Sequence, residues 1–268
     1  MTDLETYRVK PGTDLDLTAL PTVADGGWKK SAAKERVAQL SERLVELQEL
    51  FYADGRHALL VVLQAMDAAG KDSTIRAVFG PINPQGCRVV GFKAPSELER
   101  RHDYLWRVHA RAPTKGYMTV FNRSHYEDVL VVRVNQLVAK PVWKRRYEHI
   151  NGFERLLADE GTVVLKFYLH VSREYQRERL QRRLDRPDKL WKFNPKDLDA
   201  RVRWKEYMHA YEDALSRCST EAAPWYVIPS EKRWYRNLLV TEALVSALER
   251  LDLRHPAPDF DPRSIKLT

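Results

Sequence analysis

Asp67, Gly70 and Lys71 fall within one short stretch, Ala65-Met66-Asp67-Ala68-Ala69-Gly70-Lys71-Asp72-Ser73-Thr74, directly after the apolar run LLVVLQ. A glycine–lysine pair between a strand and a helix is the chemistry of a phosphate loop. Backbone N–H groups and the helix N-terminus point at phosphate oxygens, and the lysine adds a mobile cation. The usual pattern is G-x-x-x-x-G-K-[ST]. Here Ala65 stands at the first glycine and Asp72 at the Ser/Thr position. Ala68, Ala69, Gly70, Lys71, Asp72 and Ser73 are the candidate phosphate contacts. Asp67 is the odd member, because a carboxylate in a phosphate cradle repels its ligand by on the order of several kcal/mol. A magnesium ion between carboxylate and phosphate would reverse that sign. The competing reading is a Gly-Lys turn that only starts a helix, with Asp67 or Asp72 as its cap.

A second acidic group follows Phe121-Asn122-Arg123-Ser124-His125-Tyr126-Glu127-Asp128. Phosphoryl-transfer folds place an acid near the end of a neighbouring strand to hold magnesium. Asn122 occupies that strand-end position but is neutral, so Glu127 and Asp128 are the candidate acids and Arg123 the candidate phosphate contact. A helix start capped by Ser124, with acids in its first turn, accounts for the same residues. His125 reads as a structural hydrogen-bonder. Further on, Arg179, Arg182, Arg183 and Arg186 step by three, one and three, which predicts all four guanidinium groups on one helix face. Arginine forks match phosphate oxygens well. Trp191 and Phe193 read as packing residues.

Elements must hold these groups together. Five runs read as strands: Ala58–Gln64, Arg88–Phe92, Tyr117–Phe121, Thr162–Val171 and Trp225–Pro229. Helical patterns between or beside them include Trp28–Ala53, Ile75–Phe79, Glu97–Ala110, Val142–Glu160 and Tyr235–Leu251. Strands alternating with helices predict an α/β fold with a parallel sheet. Residues 1–27 read as an irregular extension, 28–254 as one domain, 172–220 as a helical insertion and 255–268 as an extended tail. With 268 residues, 44% hydrophobic and 31% charged, a packed core is expected. The apolar runs fall well short of the roughly 20 residues of a membrane span. The polar N-terminus carries no secretory pattern, and Cys87 and Cys218 have no metal spacing. These features predict a cytoplasmic protein with no membrane partner. The net charge is +8. Arg173–Lys205 holds twelve Lys/Arg against six Asp/Glu, a concentrated field that suits a polyanion.

With these elements in place, the chain resembles the polyphosphate kinase 2 family over roughly Tyr7 to Leu253. The motifs that carry the likeness are Val62-Leu63-Gln64-Ala65-Met66-Asp67-Ala68-Ala69-Gly70-Lys71-Asp72, Asp103-Tyr104-Leu105-Trp106-Arg107, Phe121-Asn122-Arg123-Ser124-His125-Tyr126-Glu127-Asp128-Val129-Leu130 and Ala223-Pro224-Trp225-Tyr226-Val227-Ile228-Pro229. Many members carry Asp where Asn122 stands; the F-N-R-S-H-Y-E-D version is similar to the class III branch. The resemblance implies a P-loop kinase-like three-layer α/β/α sandwich with a five-stranded, mainly parallel sheet and a helical lid. It implies phosphoryl transfer from inorganic polyphosphate to AMP and ADP, extending to GMP and GDP. It further implies Mg²⁺ dependence, with Mn²⁺ able to substitute, and a homodimer or homotetramer. By the same likeness, Asp67 and Glu127 hold the metal with Asp128 in support. Lys71 and the amides around Gly70 cradle phosphate, and Arg123, Arg179, Arg182 and Arg183 grip phosphate chains. Two rival classes compete with this expectation. One is an ATP-dependent nucleotide or nucleoside kinase. The other is a nucleic-acid-binding protein, which would have no use for paired acids.

Overall fold

The computed structural model describes residues 4–265; residues 1–3 of the expected extension and 266–268 of the expected tail lie outside them. The strands are β1 Ala58–Gln64, β2 Cys87–Gly91, β3 Met118–Asn122, β4 Thr162–His170 and β5 Trp225–Pro229. Among the described residues they form one sheet in the order β2-β3-β1-β4-β5, and every pairing is parallel rather than mainly so. Register is set through β1, where Leu59 pairs with Met118 of β3 and Val163 of β4. The helices are α1 Lys30–Asp54, α2 Lys71–Val78, α3 Glu97–Arg100, α4 Trp106–His109, α5 Val131–Val134, α6 Lys140–Asp159, α7 Arg173–Leu184, α8 Lys196–Val202, α9 Trp204–Cys218 and α10 Arg233–Glu249.

The unbroken apolar run of β1 follows from its place in the sheet. Its seven residues are all buried because both faces are covered. Leu59, Val61 and Leu63 pack toward α1, α2 and α10, whereas Leu60 and Val62 pack toward α6 and α9. That two-residue period splits the core into two layers around the sheet. On α1, the apolar stripe Leu40, Leu44, Leu47 and Phe51 meets α10. Gly55 then ends α1 in the left-handed region, at φ 65°, with its N–H bonded to Phe51.

Three sequence expectations change. The single helix over Glu97–Ala110 is two short helices, because the Asp103 carboxylate accepts N–H bonds from Leu105 and Trp106 and starts a new turn. Arg186 leaves the arginine stripe. The helix ends at Leu184, and Arg186 instead forks onto Asp188 at 3.0 Å. Trp191 does not pack: it is 77% exposed, with Lys192 over its ring. Within 172–220, α9 belongs to the core through Tyr207, Met208, Tyr211, Ala214 and Leu215. α7, the turn Pro187–Lys192 and α8 are the parts carrying the basic surplus. The N-terminal segment covers the β5 edge: Val9 donates to Trp225, and Arg8 pairs antiparallel with Tyr226. Among the described residues no helix is long and apolar enough to cross a membrane.

Candidate active site

The loop 65–70 leaves the carboxyl end of β1 and turns into α2. Two residues take left-handed backbone, Ala68 at φ 62° and Gly70 at φ 113°. A side chain at Gly70 would be strained by that φ and would also collide with Nη1 of Arg236. Lys71 opens α2, and its Nζ curls back to donate to Ala65 O at 2.8 Å and Met66 O at 3.4 Å. Burial, reinforced by the Arg123 charge, lowers the Lys71 pKa to about 8 despite Asp67, Glu127 and Asp72. Its ammonium is therefore poised to gain from an incoming anion.

Asp67 and Glu127 meet across β1 and β3. Arg123, at φ 64° just past β3, donates its backbone N–H to Leu63 of β1. From there its Nη2 reaches Asp67 Oδ1 at 2.5 Å, and its Nη1 lies 3.7 Å from Glu127 Oε2. One guanidinium thus bridges two carboxylates from separate elements. Burial works against its charge, and Glu127 with Asp67 more than offsets that, so its pKa is raised. Gln64, the last residue of β1, donates to Glu127 Oε1 at 3.0 Å and fixes that side chain.

Asp128 faces Arg146 at 2.8 Å rather than the Asp67–Arg123 pair. Burial pushes its carboxyl up, and Arg146 and Arg107 offset part of the shift. Asn122 does not reach the two acids by hydrogen bond; its Nδ2 donates to Asp72 Oδ1 at 2.8 Å across the mouth of α2. Ser73 bonds back to Gly70 O and accepts from Arg236. Of the insertion arginines, Arg183 donates to Lys192 O and pairs with Asp197 of α8 at 3.3 Å. The Arg179 and Arg182 side chains make no hydrogen bond or ion pair with the described residues.

His125 is a structural hydrogen-bonder, buried and bonded to Glu154 Oε1 at 3.1 Å. Tyr126 donates to the same oxygen, and Lys166 of β4 holds Glu154 Oε2 at 2.5 Å and Cys218 O at 2.6 Å. This buried cluster supports the turn His125–Asp128, which carries Glu127.

Four polar residues at this site were not singled out from sequence. Gln64 and Gln176 look like ordinary strand and helix residues. Gln176 of α7 is fully buried and donates to Asp67 O at 3.1 Å, tying α7 to the loop. Asp197 lies close enough to Asp67 that burial and Asp67's charge raise its pKa to about 6, against Arg183 and Arg123. Arg236, 163 residues beyond Ser73, is the fourth. For Gln176, Asp197 and Arg236 the only sequence signal is polarity within apolar or basic surroundings, whereas Gln64 lies within the first of the motifs quoted above.

A cavity of about 1090 Å³ opens beside this constellation. Asp67, Arg123 and Glu127 are among its lining residues, and Leu130, Val131, Leu137 and Val142 add apolar wall. Among the described residues no three His, Cys, Asp or Glu side chains cluster as a metal cage. The arrangement offers paired hard-oxygen donors, fixed cations and a deep cleft of mixed character. That is a chemistry for neutralising and moving a phosphoryl group beside an organic acceptor.

Comparison with known proteins agrees along the chain. The family profile Polyphosphate kinase 2 (PPK2) matches residues 27–256. An AMP/ADP-polyphosphate phosphotransferase of Meiothermus ruber is 55% identical over 260 residues, covering 96% of this chain and 97% of that protein. An ADP-polyphosphate phosphotransferase of Rhodopseudomonas palustris is 42% identical, covering 93% and 91%. The crystal structure of polyphosphate kinase 2 from Arthrobacter aurescens TC1 superposes with a TM-score of 0.93 at 40% identity, over 98% of this chain and 94% of that one. The P-loop kinase-like sandwich expected from the motifs is the fold observed, and the chain belongs to the polyphosphate kinase 2 family.

Proposed function

We propose that this protein transfers a phosphoryl group from inorganic polyphosphate to AMP and ADP, and to GMP and GDP where the cavity accepts guanine. The observation that carries the reading is the Asp67–Arg123–Glu127 bridge next to the phosphate loop, lining the cavity of about 1090 Å³. A simple binder of phosphate backbones gains nothing from two carboxylates there, which disfavours a nucleic-acid partner. The protein would work in the cytoplasm as a homodimer or homotetramer, with polyphosphate, AMP, ADP and ATP as its partners.

Mg²⁺ is the proposed cofactor, with Mn²⁺ as substitute. The donor set fits it: Asp67 and Glu127 supply hard oxygens and already share one positive charge. Mg²⁺ commonly takes one or two carboxylates and fills its shell with water and substrate phosphate. Bound there, the ion would neutralise charge developing on the transferred group. The protein's own residues do the rest. The acceptor phosphate is already anionic at neutral pH, so no strong general base is needed. Lys71 shifts its hydrogen bonds from the loop carbonyls to phosphate oxygens, and Arg123 stabilises the in-line geometry from the β3 side. The bond between phosphorus and the donor's bridging oxygen breaks, and its electron pair stays on the shortened chain. A new bond forms to the acceptor oxygen without a covalent enzyme intermediate. α7 and α8 serve as the lid, and Gln176 ties α7 to the loop.

The test is an activity matrix of polyphosphate or ATP against AMP, ADP, GMP and GDP, with Mg²⁺. Polyphosphate should phosphorylate both AMP and ADP. Product formed from ATP alone would refute the reading.

A further inference from the structure

The chain leaves β4 at His170, and Ser172 caps α7 by accepting the Tyr175 N–H on its Oγ at 3.1 Å. The helix ladder offers the Ser172 N–H no partner of its own. It donates instead to Glu231 Oε1 at 2.9 Å, across 59 residues of sequence. Glu231 stands in the short loop between β5 and α10. Its carboxylate makes no ion pair among the described residues, so it serves there as an acceptor for one backbone N–H. A negative group at the start of α7 also suits the positive end of the helix dipole. The backbone N–H of Glu231 donates to Thr22 O at 3.2 Å, and that of Ser230 to His170 O at 2.9 Å. One loop thus holds the N-terminal segment, the end of β4 and the start of α7.

The first turn of α7 is in turn bound to the phosphate loop. Gln176 donates its backbone N–H to Ser172 O at 3.1 Å and its side chain to Asp67 O at 3.1 Å. Arg201 of α8 reaches the same turn, at Gln176 Oε1 (3.2 Å) and Arg173 O (2.5 Å). α7, α8 and the loop that carries Asp67 therefore meet in residues 172–176, and Glu231 grips the outer end of that turn. Glu231 is absent from the lining of the cavity, so it acts on the site only through the backbone of α7. Without the acceptor, the Ser172 N–H is left unpaired or admits water, and the turn is free to shift.

We propose that Glu231 is a positioning residue for phosphoryl transfer: its carboxylate fixes the root of α7, which keeps Gln176 and the lid in register with the Asp67 loop. This rests on the proposed function and adds to it a residue that lies outside the cavity and outside every motif quoted above. Transfer by positioning is sensitive to small displacements, with a misplacement of about 1 Å able to cost about 100-fold in rate.

Three variants separate reach from charge. Glu231→Gln keeps an acceptor oxygen at the same reach and loses the charge. Glu231→Asp keeps the charge and withdraws the acceptor by one methylene, and Glu231→Ala removes it. Melting curves check folding, and the aspartate variant carries the test should the alanine variant not fold. Loss of one aligning hydrogen bond should lower kcat for phosphorylation of ADP by polyphosphate about tenfold in Glu231→Asp and Glu231→Ala. Glu231→Gln should keep kcat within about twofold, and the ADP KM should move less than about twofold in all three, as for a contact that matters only in the transition state. Hydrogen exchange of the ligand-free protein should quicken at the Ser172, Tyr175 and Gln176 amides in the impaired variants and stay unchanged in α6. Equal kcat in all folded variants would overturn the proposal. So would a loss in Glu231→Gln that matches Glu231→Asp, since charge rather than reach would then matter. Exchange that quickens throughout the chain would overturn it as well, because it marks general destabilisation. If the enzyme turns over only ATP while exchange at the root of α7 still depends on Glu231, the proposed function fails and the brace on α7 stands.

Discussion

Asp67 and Lys71 were legible as a pair because the loop is contiguous in sequence, and their spacing alone states a contradiction of charge. Geometry answers it with Arg123, one guanidinium shared with Glu127. Replacing Asp67 with Asn removes a charge that the site balances without enlarging the side chain. Turnover should fall about 100-fold or more, the scale seen for a lost preorganised electrostatic contact. The melting temperature should hardly move, because Asp67 is partly exposed and Arg123 keeps Glu127. Near-normal turnover would remove Asp67 from the chemistry. Lys71 gives a second expectation. Its pKa of about 8 in the ligand-free protein lies below the ordinary lysine value, so the folded site binds fewer protons than the unfolded chain between about pH 8 and 10.5. A polyanion favours the ammonium and raises that pKa. Binding should therefore take up protons, and affinity should fall as pH rises above about 8. Calorimetry of polyphosphate binding near pH 8.5, in buffers of differing ionisation heat, reads this directly; no proton uptake would refute it. Gln176 and Asp197 were not legible, since each joins the site through tertiary contact and sits in none of the motifs; Gln64 lies within a motif, but its bond to Glu127 is a contact between strands that spacing does not reveal.

At the scale of elements, β1, β3, β4 and β5 were readable as largely buried apolar runs, while β2 at the sheet edge is partly exposed; β1 and β5 match their expected limits and the other three strands differ by one residue. The segment Glu97–Ala110 misled because its helical period continues through Asp103, whose carboxylate competes for the backbone and restarts the turn. The link between β4, α6 and the turn His125–Asp128 was also hidden. It is a buried cluster of Lys166, Glu154, His125 and Tyr126, where burial opposes the Glu154 charge and Lys166 and His125 more than offset it. Replacing Lys166 with Met leaves Glu154 ionised or forces it to take a proton. Stability should drop by about 3–5 kcal/mol, as for a buried pair broken on one side. Urea unfolding measures this, and a loss under about 1 kcal/mol would show that the pair does not brace the turn. The same variant, assayed while still folded, should lose kcat more than ADP affinity, because Glu127 rides on that turn.

Across the whole molecule, an all-parallel sheet gathers its functional loops at the carboxyl ends of the strands, and the site lies where β1 and β3 adjoin. The overall excess of eight positive charges does not by itself say where an anion binds. Its concentration in Arg173–Lys205 was visible from sequence, but the share already neutralised was not. Arg183 is taken by Asp197 and Arg186 by Asp188, which leaves Arg179 and Arg182 free along α7. Each free arginine that contacts a linear polyanion releases condensed counterions, so the polyphosphate KM should rise with salt as a power law. The logarithmic slope should be about 0.7 for each phosphate contact, by analogy with single-stranded nucleic acid. Arg182→Ala should lower that slope by about 0.7. Its effect should therefore be largest at low ionic strength and shrink as salt replaces the missing cation. Exposed and unpaired, Arg182 can be removed without disturbing the core, so a changed slope reports contact with the donor rather than altered folding. KM values for polyphosphate measured from 50 to 300 mM KCl, roughly spanning the range where screening lengths fall toward 6 Å, decide the matter. Parallel lines for the two proteins would take Arg182 off the path of the chain, whereas converging lines place it there.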